Sequence, residues 1–325
     1  MQFGNFKDID DYVIVVIITV FIAFILVTTG IYVMYVMNLK NRECSAMDSL
    51  YPNINGKIRS IVPNNTTLNQ YYIKSAYNCC SLGSYKNDFV GLCSLTNVLK
   101  QGVRGLDFEI FSIDDKPVIA TSMSPNYYTK DTYNSIPFYE AMHMITTNAF
   151  STQYCANTKD PIIIHLRFKS NNIKMYENLA TIFTQYQRFL IGANYKYTNT
   201  NLSNAKLSDL MGKIIIVVDE TNKTFEGSTT LCEFVNMTSN SANMRLLHFY
   251  DIKYGDHNEL KNYNKKHMTI CIPDKNATPS NPDIVVLQKT DCNLFAMSYQ
   301  NADKYLEKNN KFFDDAGYAF VLKTN

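Results

Sequence analysis

The sequence predicts an α/β fold, a TIM-like (β/α)8 barrel preceded by one transmembrane helix. Three observations predict it. Short apolar runs alternate with amphipathic stretches from about residue 70 onward. One uncharged run fills residues 12–37. The remainder of the 325-residue chain exceeds the roughly 250 residues such a barrel needs. Composition excludes other classes: 46% hydrophobic and 18% charged residues rule out a disordered chain. A balance of 31 basic against 29 acidic residues leaves no global positive field for nucleic acid.

The elements follow in order. Residues 1–11 form a short tail. Tyr12 to Met37 reads YVIVVIITVFIAFILVTTGIYVMYVM, without a charge. As a helix it is about 39 Å long, enough to cross a hydrocarbon core of about 30 Å with some tilt. Tyr12 at one end and Tyr32 and Tyr35 near the other suit an interfacial aromatic belt. A cleaved signal peptide would have a shorter apolar core and a basic segment before it. The flanks carry Lys7, Asp8, Asp10 and Asp11 on one side and Lys40, Arg42, Lys57 and Arg59 on the other. Positive-inside reasoning puts the body of this single-pass protein on the cytosolic side. Residues 38–69 are polar, with Pro52, Pro63 and an Asn-Asn-Thr-Thr run, and read as a stalk.

Residues 70–325 supply the barrel. Expected strands are Tyr72–Tyr77, Val103–Phe111, Pro117–Thr121, Ile162–Arg167, Lys213–Val218, Leu246–Asp251, Met268–Ile272 and Leu294–Tyr299. Amphipathic stretches at Asp88–Lys100, Phe138–Phe150, Ile173–Leu190 and Asp303–Asn310 supply helices between them. Such alternation argues for a parallel sheet, and eight strands for closure. The eight cysteines, at 44, 79, 80, 93, 155, 232, 271 and 292, show neither a CxxC pair nor zinc spacing, so buried thiols are expected. The sequons at Asn236 and Asn276 are what an Asn-rich chain produces by chance.

Two strands carry chemistry. In Gly105-Leu-Asp-Phe-Glu-Ile-Phe111, Asp107 and Glu109 share one face, opposite Leu106, Phe108 and Ile110. Buried carboxylates need a partner, either a divalent cation or an arginine. In Pro161-Ile-Ile-Ile-His-Leu-Arg167, His165 and Arg167 share a face by the same parity. Arg167 is therefore placed to neutralise Asp107 or Glu109, for which a bidentate pair is a familiar solution.

These segments resemble a known family. Ser75-Ala-Tyr-Asn-Cys79 and Leu99-Lys-Gln-Gly-Val-Arg-Gly-Leu-Asp-Phe-Glu109 are similar to the start of the phosphoinositide-specific phospholipase C barrel. There a Ser-His-Asn-Thr motif precedes a Gly-Cys-Arg-x-x-Glu-x-Asp strand. Asp160-Pro-Ile-Ile-Ile-His-Leu-Arg167 and Met211-Gly-Lys-Ile-Ile-Ile216 resemble two further strands of that family. Cys292-Asn-Leu-Phe-Ala-Met-Ser-Tyr-Gln300 and the segment Phe312 to Lys323 resemble its closing motifs. The anchor and Asn41-Arg-Glu-Cys44 resemble membrane-anchored barrel proteins of large DNA viruses, which implies a viral or virion membrane.

The resemblance implies a phosphoric diester hydrolase with two catalytic histidines and a calcium ion held by an Asn and three carboxylates. Carried across, Asn78 keeps the Asn, and Asp107 and Glu109 keep two acids as metal ligands. The third acid falls on Arg167, and the histidines fall on Tyr77 and Thr121. The family's headgroup lysines fall near Val217 and Asp219, and its late Arg and Tyr fall on Ile270 and Ile272. Asn78 and Lys213 remain as substrate-binding candidates. Losing two acid–base groups costs about 10⁴–10⁸-fold if their effects are independent. Arg167 would also repel calcium, since even unit charges 4 Å apart interact by about 4 kcal/mol at an effective dielectric near 20.

The expected function is thus a non-catalytic barrel, a pseudoenzyme that binds a protein, a phosphoinositide or virion neighbours. The alternative is a calcium-independent phosphodiesterase in which Arg167 replaces the metal and His165 or Tyr77 is the base. No cofactor is expected, with Ca²⁺ only if the residual site holds it. His143, His248, His257 and His267 are read as structural or solvated.

Overall fold

The computed structural model describes residues 6–124 and 128–323. The chain divides into two compact units, Met1–Arg42 and Glu43–Asn325. Residues 6–42 of the first belong to the long helix Phe6–Leu50, and the first five residues of the expected 1–11 tail lie outside the described residues. That helix is long and apolar enough to cross a membrane, with a mean hydropathy of 2.9 in its most apolar stretch and none of that stretch buried. Two of its hydroxyls are satisfied internally: Thr19 Oγ1 donates to the Val15 carbonyl and Thr28 Oγ1 to that of Phe24. This is what a hydrocarbon environment demands of polar groups.

The described residues of the second unit form eleven strands: β1 Tyr71–Ala76, β2 Gly105–Ile113, β3 Lys116–Ile119, β4 Ile136–Pro137, β5 Ile162–Phe168, β6 Ile214–Asp219, β7 Met237–Ser239, β8 Met244–His248, β9 Met268–Ile272, β10 Leu294–Met297 and β11 Phe320–Leu322. Eight of them, in the order β7-β6-β5-β2-β1-β10-β9-β8, form a nearly closed parallel barrel. β7 and β8 do not pair; at this seam Asn240 Oδ1 accepts from Leu246 N. All residues of β1 and β5 are buried, as expected for strands covered by helices on one side and barrel interior on the other. Phe108 packs edge-on against Phe138 of helix Phe138–Asn148, so its neighbours Asp107 and Glu109 point into the barrel.

One expected barrel strand lies elsewhere. Asp114 and Asp115 both adopt positive φ, 49° and 62°, which turns β2 back into β3 as an antiparallel hairpin. The Pro117–Thr121 run therefore cannot be a parallel neighbour, which would need a crossover of a dozen residues or more. The missing barrel strand is β7, three residues beside β6. Close packing marks the β1–β2 contact: a Cβ on Gly105 would run into the Ser75 side chain.

The stretch 38–69, expected as a polar stalk, is helical to Leu50, and from Glu43 it belongs to the globular unit. Met47 and Ile58 are buried in the core, Tyr51 Oη donates to the Tyr299 carbonyl, and Arg59 N donates to the Gly317 carbonyl. The cysteines also depart from expectation. Six are buried thiols, but Cys44 and Cys93 form a disulfide.

Candidate functional site

The C-terminal ends of β1, β2 and β5 converge on one polar knot. Asn78 follows β1 in the left-handed region, at φ 45°, which asparagine tolerates better than most residues. That turn aims Asn78 Oδ1 into the barrel. Arg167, near the end of β5, reaches across to β1 and β2. Its Nε and Nη2 donate to the two oxygens of Asp107 at 2.9 and 2.8 Å. Nη1 donates to Glu109 Oε1 at 2.7 Å, and Nη2 also donates to Asn78 Oδ1 at 2.8 Å. Four of the five guanidinium N–H groups are thereby engaged. The Tyr77 ring lies 4.7 Å from the guanidinium carbon, a cation–π contact.

Asp107 is saturated. Besides Arg167, it accepts from the Asn78 amide at 3.1 Å and from His165 Nδ1 at 2.7 Å. His165 Nε2 lies 2.8 Å from Ser239 Oγ on β7. A carboxylate only accepts, so Nδ1 carries a proton, and Nε2 is hydrogen-bonded to the Ser239 hydroxyl. Glu109 Oε2 accepts from the Ser122 amide at 2.9 Å. Burial alone would raise the Asp107 carboxyl; Arg167 and His165 outweigh it and hold it well below the usual range. Burial would lower the Arg167 guanidinium, but its partners, Asp107 foremost, push it up. Burial raises the Tyr77 phenol, which opposes a phenolate base.

This donor set does not suit a divalent cation. The oxygens of Asn78, Asp107 and Glu109 already receive N–H groups, and a positive guanidinium stands between them. Among the described residues no cluster of three His, Cys, Asp or Glu side chains has metal-binding geometry. The mouth above the knot holds a cavity of about 290 Å³ whose wall includes Tyr77, Glu109, Arg167, Lys169, His248 and Lys275.

The structure brings together Asn78, Tyr77, Asp107, Glu109, His165 and Arg167; strand parity had paired Asp107 with Glu109 and His165 with Arg167, while Asn78 and Tyr77 were named by the resemblance. Thr121 is buried one residue from Ser122, and its Oγ1 donates to the Tyr85 carbonyl rather than facing the cavity. Lys213 sits before the first residue of β6, at the far end of the barrel, with Nζ donating to the Arg188 carbonyl. That position separates it from any ligand at the mouth. His165 lies beneath the knot with both nitrogens engaged, away from the cavity wall.

Two mouth features escaped the sequence reading. His248 ends β8 at the cavity wall, and its Nδ1 donates to the Pro273 carbonyl at 2.8 Å. Lys169 follows β5, and burial lowers its ammonium pKa. Lys169, Lys275 and Arg167 are opposed by Asp219, Asp274 and Glu109 on the same cavity wall, so its charges nearly balance.

Residues 64–220 match the family described as phosphatidylinositol-specific phospholipase C, X domain. No curated protein matches the chain. Among solved structures, PLC21 of S. officinalis is similar, at a TM-score of 0.64 and 17% identity over 80% of this chain. PLC21 of L. pealei gives the same values. This chain spans only 37% of the length of either. The phosphatidylinositol-specific phospholipase C from Listeria monocytogenes aligns with 81% of this chain and 98% of its own, at a TM-score of 0.50 and 12% identity. At such identities the likeness is one of fold, and the barrel is phospholipase C-like.

Proposed function

We propose that this phospholipase C-like barrel is a non-catalytic binding or structural protein, held at a membrane by residues 12–37. One observation carries the reading: Arg167 fills the space between Asn78, Asp107 and Glu109, where the resemblance would put calcium. Four of its donors are committed to the protein, which leaves one N–H to stabilise a developing phosphoryl charge. His165 has no free nitrogen, and burial keeps the Tyr77 phenol protonated. The alternative, a calcium-independent phosphodiesterase with Arg167 in place of the metal, would need these groups released.

A protein neighbour or a lipid headgroup is the partner class, with no role for nucleic acid. The cavity's near balance of lysines and aspartates favours a protein neighbour over an anionic headgroup. The likeness of the anchor and of Asn41-Arg-Glu-Cys44 to barrel proteins of large DNA viruses supports a viral or virion membrane as the setting. The test is turnover of phosphatidylinositol and its bisphosphate in vesicles, first with calcium and then with EDTA. No turnover in either condition is expected. Calcium-dependent turnover refutes the reading; turnover that survives EDTA and is lost on Arg167→Ala establishes the alternative.

A further inference from the structure

We propose that residues 43–325 lie on the oxidising, extracytosolic side of the membrane, where Cys44 and Cys93 are joined and Asn65 and Asn276 accept N-linked glycan. The inference goes beyond the function proposed above and rests on the same reading of residues 12–37 as a membrane span.

The cysteines divide sharply. Cys79, Cys80, Cys155, Cys232, Cys271 and Cys292 are buried thiols. Cys44 and Cys93 are only half-buried, and they are the two that are bonded. The bond ties the last turns of helix Phe6–Leu50 to helix Leu92–Lys100. A cytosolic thiol pool would keep such an accessible pair reduced, whereas the secretory lumen and the cell exterior preserve it.

The opposing argument is the flanking charge, and it is thin. The orientation rule counts Lys and Arg within about 15–20 residues of the span and gives Asp little weight. On that count Lys7 stands on one side against Lys40 and Arg42 on the other, with Lys57 at the limit. A bias of one or two residues is weaker ground than a covalent bond that one compartment forms and the other removes.

The sequons divide by exposure in a compatible way. Of the six sequons, Asn64-Asn-Thr66, Asn65-Thr-Thr67 and Asn276-Ala-Thr278 present exposed asparagines and Asn201-Leu-Ser203 a half-buried one, while the asparagines of Asn222-Lys-Thr224 and Asn236-Met-Thr238 are buried. Asn276 lines the barrel mouth, so a glycan there would stand over the opening.

The experiment uses the full chain, synthesised with endoplasmic-reticulum microsomes. Expected results are retention in the pellet after carbonate extraction and a body protected from added protease until detergent is present. An endoglycosidase-sensitive mass shift should become smaller in Asn276→Gln. In denaturant, six cysteines should react with maleimide before reduction and eight after it; Cys44→Ser should give seven in both states. A pelleted chain whose body is open to protease, eight reactive thiols before reduction, or no endoglycosidase-sensitive shift would each overturn the proposal. Release by carbonate would remove the anchor reading itself and the proposal with it.

Discussion

Replacing Arg167 with alanine removes the counter-charge that, among the described residues, both inward carboxylates share. Asp107 and Glu109 are 1% and 2% exposed, so water cannot take over. Four charge-assisted hydrogen bonds disappear together. Removing one partner of a buried ion pair costs about 3–5 kcal/mol, mostly because the remaining charge is stranded. In a unit of this size each kcal/mol shifts Tm by about 2–4 °C, so the fall should be roughly 6–20 °C. The assay is thermal unfolding of the purified chain in detergent, followed by near-ultraviolet circular dichroism. A second variant separates lost charge balance from lost packing. Arg167→Leu combined with Asp107→Asn and Glu109→Gln removes both sides of the pair and should recover much of the loss, since neutral groups of similar shape carry a smaller desolvation penalty. A fall under 2 °C in Arg167→Ala, or a triple variant less stable than the single, would refute the claim that Arg167 is the counter-charge of the knot.

Three further outcomes follow from the same structure. The folded Asp107 carboxyl lies well below its unfolded value because Arg167 and His165 outweigh burial. Its contribution is therefore complete above about pH 4 and is lost as pH falls towards the folded pKa; the urea midpoint should drop between pH 5 and pH 2, and drop less in Asp107→Asn. The Cys44–Cys93 bond spans a sequence separation of 49, worth about 4 kcal/mol in the chain-entropy picture, so Cys93→Ser should lower Tm and abolish the effect of added reductant on Tm. Gly105→Ala drives a Cβ into Ser75 on the adjacent strand, an overpacking that costs about 1–3 kcal/mol and is read as a lowered urea midpoint.

Much of the barrel was legible because buried parallel strands write themselves as apolar runs, and strand parity is rigid. Asp107 and Glu109 on β2, with His165 and Arg167 on β5, needed only a period of two to be placed inward together. β7 was invisible because three residues hold no pattern. The β2–β3 hairpin was within reach: Asp114-Asp115 is a two-residue turn between strands, which excludes a parallel partner. His248 was readable in principle, since it falls inside an expected strand, but no motif marks it. Lys213 misled because it belongs to the resemblance by sequence while the strand direction carries it to the closed end of the barrel. The Cys44–Cys93 pairing depends on where the helix end meets the barrel, which no local pattern encodes.

The central claim is that a guanidinium occupies the place of a cation. Its most direct test is the unfolding temperature measured with and without calcium, for the natural chain and for Arg167→Glu. The account expects no calcium effect on the natural chain. The variant, with a third carboxylate beside Asn78, Asp107 and Glu109, should gain about 2.7 kcal/mol at a hundredfold excess over its Kd, a rise of roughly 5–11 °C. A calcium-dependent rise in the natural chain would contradict the account.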